Sequence, residues 1–133
     1  MDCIFCKIIK GDIPSYKIYE DEYTYAFLDI AKDVDGHTLV VPKKHVTNLL
    51  DCDVETLNHV MNTVKKICNY YVDVLGYEGC NILNATGVAA QQTVMHLHIH
   101  IIPRKSNDGV DSWPKFLGAK EELSTMHDIL KVK

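Results

Sequence analysis

From residue 95 to residue 101 the chain alternates strictly between apolar and polar positions. Met95, Leu97, Ile99 and Ile101 are separated by His96, His98 and His100. A period of two predicts a half-buried strand, with the apolar set toward a core and the three histidines on the opposite face. Shorter strand-like runs occupy residues 16–20 and 23–29, joined by a hairpin at Glu20-Asp21-Glu22. Another spans 37–42, entered through the Asp35-Gly36 turn and stopped by Pro42, and a fourth spans 79–84. Between them Val54, Leu57, Met61, Val64, Cys68, Tyr71 and Leu75 recur every three or four residues. That period predicts a helix covering one face of the sheet, with Asp53 as its N-cap and Gly76 as its stop. Residues 3–9 predict a helical turn ended near Gly11, and residues 120–130 a short amphipathic helix.

Composition narrows the classes without adding a function. The chain has 133 residues, 47% hydrophobic and 24% charged, which fits one domain over residues 1–133 with a sizeable core. Lys and Arg number 14 against 18 Asp and Glu, a net charge of −4, and no basic run exceeds Pro42-Lys43-Lys44-His45. Nucleic acid is not an expected partner, although a local phosphate pocket is compatible with this balance. The start, from Met1, lacks the apolar core of a leader, and no run approaches a membrane span. The five cysteines are odd in number, so they are read as thiols or metal ligands in a reducing, cytoplasmic setting.

The histidines change the picture. Residues two apart on a strand are roughly 6.5–7 Å apart, which puts His96 and His100 roughly 13 Å apart, too far for all three to share one metal. Neutral imidazole is a good nucleophile toward phosphorus and titrates near neutrality, so one histidine can attack while its neighbours handle protons. His98, flanked on both sides, is the expected nucleophile, and its second ring nitrogen needs an acceptor that the sequence does not identify. A solvated face on an edge strand is the plainer account of three alternating histidines. Asp29, ending a strand, reads equally as a pocket carboxylate or a turn former. His59 reads as a surface residue. The small residues of 85–90 permit close approach of a phosphate, or simply connect two strands.

These segments resemble the histidine triad (HIT) superfamily, whose hallmark is His-x-His-x-His followed by two apolar residues, here His96, His98, His100, Ile101 and Ile102. The similarity extends through Cys-Ile-Phe-Cys-Lys-Ile-Ile, Gly-Asp-Ile-Pro, Ala-Phe-Leu-Asp-Ile, Gly-His-Thr-Leu-Val-Val-Pro-Lys-Lys-His and Gln-Thr-Val-Met-His-Leu-His-Ile-His-Ile-Ile-Pro-Arg, and is nearest to the Hint-like branch. The resemblance implies an α+β HIT-like fold: an antiparallel sheet of about five strands, one long helix packed on it, short terminal helices and a homodimer. It implies binding of a purine nucleotide and hydrolysis or transfer of nucleoside 5′-monophosphoryl groups, of phosphoramidate type, through a covalent nucleotidyl-histidine. By motif position His98 is then the nucleophile, and His100 and His37 are its catalytic partners. Asp29 receives the ribose hydroxyls, Ile30 helps enclose the base, and Asn84, Gln92 and Thr93 contact the phosphate and leaving group. Gln91 departs from the family, which keeps glycine there, and adds a side chain at the leaving-group end.

Cys3 and Cys6 form a C-x-x-C pair, half of a tetrahedral zinc site or a pair of buried thiols beside Phe5. The resemblance implies that His45 and His96 complete a structural Zn2+ site, with no metal needed for the chemistry. Cys52, Cys68 and Cys80 are expected in the core. Rival readings are a dinucleoside polyphosphate hydrolase of the Fhit type and a nucleotide-binding module with little turnover.

Overall fold

The computed structural model describes residues 2–133; Met1, which heads the stretch read for a leader, lies outside the described residues. Helix α1 (Ile4–Lys10) leads into strands β1 (Lys17–Glu20), β2 (Thr24–Leu28) and β3 (Thr38–Pro42). Helix α2 (Val54–Asp73), strands β4 (Gly79–Leu83) and β5 (Ile99–Arg104) and helix α3 (Leu123–Leu130) complete the order. The five strands form one antiparallel sheet in the order β1-β2-β3-β5-β4, so the last strand in sequence lies between two earlier ones. The α+β architecture is as expected.

Local chemistry explains where the elements start and stop. Cys3 caps α1 through its sulfur, which accepts from the Cys6 N–H, and Gly11 ends the helix at φ +86°, a value glycine adopts without strain. Asp53 caps α2 by accepting from the Thr56 N–H at 3.0 Å. The regular turns of this helix end at Asp73, where the Leu75 N–H reaches back five residues to the Tyr70 carbonyl and the Tyr77 N–H six residues to that of Tyr71, with Gly76 left-handed between them at φ +83°.

Two apolar layers sandwich the sheet. On one face Ala26, Val40, Leu97, Ile99 and Ile101 pack against Val60, Val64, Ile67 and Tyr71 of α2. On the other Tyr25, Phe27, Leu39 and Val41 pack against Phe5 and Ile8 of α1 and against Cys3, which precedes it. The buried stripe of α2 is therefore rotated from the expected one. Val64 and Tyr71 are shared, but Val54, Met61 and Leu75 are 72%, 42% and 49% exposed. Cys52, Cys68 and Cys80 lie part-buried against the first layer, and burial pushes the Cys68 thiol up to about 12, which keeps it protonated.

Two expectations need correction and one rival reading falls. Regular strand pairing in the histidine stretch begins only at Ile99, so His96 and His98 lie on the extended approach to β5, anchored by Leu97 N–H to the Val46 carbonyl at 2.8 Å. Met95 is 40% exposed, whereas Leu97, Ile99 and Ile101 do face the core. The histidine face is not a solvated edge either, since β5 is interior to the sheet and Phe5 of α1 covers it. The C-terminal helix is shorter than expected, and none of its residues is buried.

Candidate active site and a Cys/His cluster

His98 is 8% exposed, and its Nδ1 lies 2.7 Å from the His96 carbonyl. A carbonyl only accepts, so Nδ1 carries the proton and Nε2 carries the lone pair. The acceptor missing from the sequence is thus the backbone two residues upstream. Asn84 holds the same segment by donating its amide to the His98 carbonyl at 3.0 Å. The Phe5 ring stands edge-on to His98, with centroids 5.2 Å apart. Sequence reasoning gave Phe5 no part in the site; a single aromatic in an N-terminal helix carries no signal for it.

His100 joins a hydrogen-bonded chain that ends on a carboxylate. Its Nδ1 is 2.8 Å from His37 Nε2, and His37 Nδ1 is 2.8 Å from a carboxylate oxygen of Asp33. The carboxylate accepts from His37 Nδ1–H, leaving His37 Nε2 to accept from His100 Nδ1–H. His100 Nε2 therefore also bears a lone pair. Burial, reinforced by the neighbouring His98 and His37, lowers the His100 pKa to about 4 and keeps the ring neutral near pH 7. The hydrogen bond from His37 holds Asp33 below the usual carboxylate range. Asp33 was not anticipated, although its position four residues before His37, across the Asp35-Gly36 turn, was the available clue.

A cleft of about 410 Å3 opens over this pair, lined by Asp33, His37, Asn84, Gln91, His100 and Asp111 among others. Its outer wall is the turn after β5. Arg104 holds that turn through both oxygens of Asp108 (2.9 Å each), Asn81 (2.7 Å), Ser112 (3.4 Å) and the Val110 carbonyl. Asp29 stands outside the cleft, with a carboxylate oxygen 3.8 Å from His37 Nε2, and Ile30 next to it is 79% exposed.

The expected phosphate contacts divide. Asn84 lines the cleft. The Gln92 amide is fully engaged within the protein, donating to the Thr47 and Val94 carbonyls at 2.7 and 3.0 Å and accepting from Gly87 N–H and Asn48 at 2.9 and 3.2 Å. It braces the loop instead of offering donors to a ligand. Thr93 is exposed and lines a different cleft, beside Cys3 and His45. Gln91 sits at φ +74°, which explains why glycine suits that position: an L-residue there is strained by roughly 1–2 kcal/mol.

Cys3, Cys6, His45 and His96 converge, their ligand atoms all within 4.8 Å of one another. His96 Nε2–H donates to the Pro42 carbonyl at 2.9 Å, which aims the lone pair of its Nδ1 into the cluster. The sulfur–nitrogen separations are 3.4, 3.4 and 3.6 Å and the nitrogen–nitrogen separation is 3.1 Å. A zinc tetrahedron with bonds of 2.3 Å to sulfur and 2.0–2.1 Å to nitrogen sets these at about 3.6 and 3.4 Å. The donor set and spacing fit such an ion. Asp29, His37 and His100 also cluster, but there the lone pair of His37 Nε2 is engaged by His100.

Comparison with known proteins is consistent with this geometry. Residues 10–107 match the HIT domain family. The chain is 38% identical to an adenosine 5′-monophosphoramidase of Schizosaccharomyces pombe, covering 100% of this chain and 98% of that protein. The crystal structure of a HIT-family protein from Bacillus subtilis superposes with a TM-score of 0.83 at 42% identity, covering 97% and 92% of the two chains. A Zn-bound histidine triad protein from Mycobacterium smegmatis gives a TM-score of 0.79 at 40% identity, covering 84% and 81%.

Proposed function

The chain belongs to the HIT family, and on that premise we propose that it hydrolyses purine nucleoside 5′-phosphoramidates through a covalent nucleotidyl-His98. The observation that carries this reading is the 2.7 Å bond from His98 Nδ1–H to the His96 carbonyl, which leaves Nε2 as a free nucleophile in a buried, fixed ring. In the first half-reaction Nε2 attacks the α-phosphorus, the P–N bond to the amine breaks, and the amine nitrogen takes a proton from solvent. In the second, water attacks the same phosphorus and the P–Nε2 bond breaks. The water's proton passes to the neutral His100, whose ring is oriented by His37 and Asp33. Asp29 receives the ribose hydroxyls, beside His37.

The Cys3, Cys6, His45 and His96 cluster is read as a structural zinc site, supported by its spacing. A zinc ion there would fix the His96 ring and so its backbone carbonyl. The exposed Val54, Met61 and Val72 of α2 and Leu75 just beyond it, with the free edge of β4, support a homodimer across that face. Free thiols support a reducing, cytoplasmic compartment, and no helix among the described residues is long and apolar enough to cross a membrane.

Intact-mass measurement after rapid quench with adenosine 5′-phosphoramidate tests the mechanism. Wild type should gain the mass of an adenylyl group and turn substrate over; His98→Ala should do neither. Undiminished turnover by His98→Ala refutes the assignment.

A further inference from the structure

We propose that Gln91 and Asp111 select the leaving group by its charge, admitting neutral and cationic amines and rejecting anionic leaving groups. The proposal rests on the functional reading above and adds the chemical class accepted at one end of its cleft. His100, whose ring centroid is 5.0 Å from that of His98, lines the cleft. With the ribose placed beside Asp29, outside the cleft, the departing group is assigned to the cleft, against the wall formed by Gln91 and the turn carrying Asp111.

Two observations point to this wall. Gln91 holds a left-handed backbone, φ +74°, that glycine would adopt without strain. Its side chain is exposed, lines the cleft and has no hydrogen bond among the described residues, so its amide is open to a ligand. The second observation is electrostatic. Among the described residues no Lys or Arg lines the cleft, and the carboxylates that do are Asp33 and Asp111. Asp33 is engaged by His37. Asp111 has one oxygen on the Trp113 N–H at 3.0 Å and is fixed in place by the turn that Arg104 organises.

A phosphate, sulfate or carboxylate on the leaving group would meet the Asp111 carboxylate there, while the nearest cation, the Arg104 guanidinium behind this wall, is already paired with both oxygens of Asp108. An ammonium on the leaving group would meet the Asp111 carboxylate and the Gln91 carbonyl oxygen. Each exposed charge interaction of this kind changes a rate constant or affinity by about two- to fivefold.

The test uses three adenosine 5′-phosphoramidates carrying N-aminoethyl, N-propyl or N-carboxyethyl groups. In wild type kcat/KM should fall in that order, with a cation-to-anion ratio of roughly tenfold that shrinks with added salt. Asp111→Asn should bring the ratio close to one. Gln91→Gly should raise KM for the N-substituted compounds relative to the unsubstituted phosphoramidate. Because the readout is a ratio within each variant, any general loss of activity does not affect it. The affinities of His98→Ala for the three compounds give the same ratio without turnover. Failure of wild type to hydrolyse any phosphoramidate counts against the functional reading alone. An equal response to all three compounds, or an unchanged ratio in Asp111→Asn, overturns the present proposal.

Discussion

Substituting alanine for Gly36 should cost about 2–4 kcal/mol, and the structure allows that figure to be separated into two parts. Gly36 has φ +80°, and an added Cβ would lie 2.6 Å from Pro103 Cγ and 3.3 Å from its Cδ. Gly76 has nearly the same backbone, φ +83°, with nothing within 4 Å of an added Cβ. Gly76→Ala therefore measures backbone strain alone, about 1 kcal/mol. Gly36→Ala carries the same strain plus overpacking against a buried proline in β5, a further 1–3 kcal/mol. Pro103 cannot retreat freely, since it is held within the paired strand opposite Cys80. Relaxation must therefore move the 33–37 turn and with it the Asp33–His37 pair. Urea unfolding of both variants at one protein concentration reads the difference as a shift in midpoint at constant m. Equal losses in the two variants would refute the argument from contact, and a Gly36→Ala protein with wild-type kcat would refute the argument that the turn positions His37.

Three other outcomes are expected. Gln91→Gly should stabilise the fold by about 0.5–1 kcal/mol in the same assay, because it removes a left-handed L-residue; a loss of stability would refute the strain. His100 should confer a pH-dependent stability. Its pKa is about 4 in the fold against 6.5 ordinarily, so the unfolded chain binds more protons between those values. The contribution is complete above about pH 6.5 and is lost as pH falls toward 4, on the order of 3 kcal/mol in all, and His100→Gln should flatten the slope of unfolding midpoint against pH. Finally, stripping metal with a chelator should lower the melting temperature and added zinc should restore it, with neither treatment affecting Cys6→Ser; an unresponsive wild type would refute the metal reading.

The alternation around His96, His98 and His100 made the central strand and its two faces legible, because period two survives even where ladder pairing does not. The turn at Asp35-Gly36 and the caps Asp53 and Gly11 were legible for the same reason, that each is a local rule. What escaped depended on partners remote in sequence. Val60, Thr63 and Ile67 form the buried stripe of α2 because the sheet meets that side, and a helix with apolar residues on two faces does not say which is covered. The acceptor for His98 is a main-chain carbonyl, which every residue possesses and no sequence advertises. Gln92 is polar and next to the motif, yet it is consumed by four internal bonds that only the folded loop brings within reach.

The interior place of the last strand also governs the order in which the molecule can be made. β1, β2 and β3 are successive antiparallel neighbours and can pair as they leave the ribosome. β4 has no partner in the sheet except β5, and β3 is left with an open edge until the same strand arrives. A chain still short of residue 99 therefore has an unfinished sheet whose exposed edge is rich in Val and Leu, a hazard for association between nascent chains. Insertion of β5 closes that edge, docks β4 and carries His98 and His100 into place in one event. Synthesis of the sheet and assembly of the site thus end together, and a chain truncated before this strand has neither.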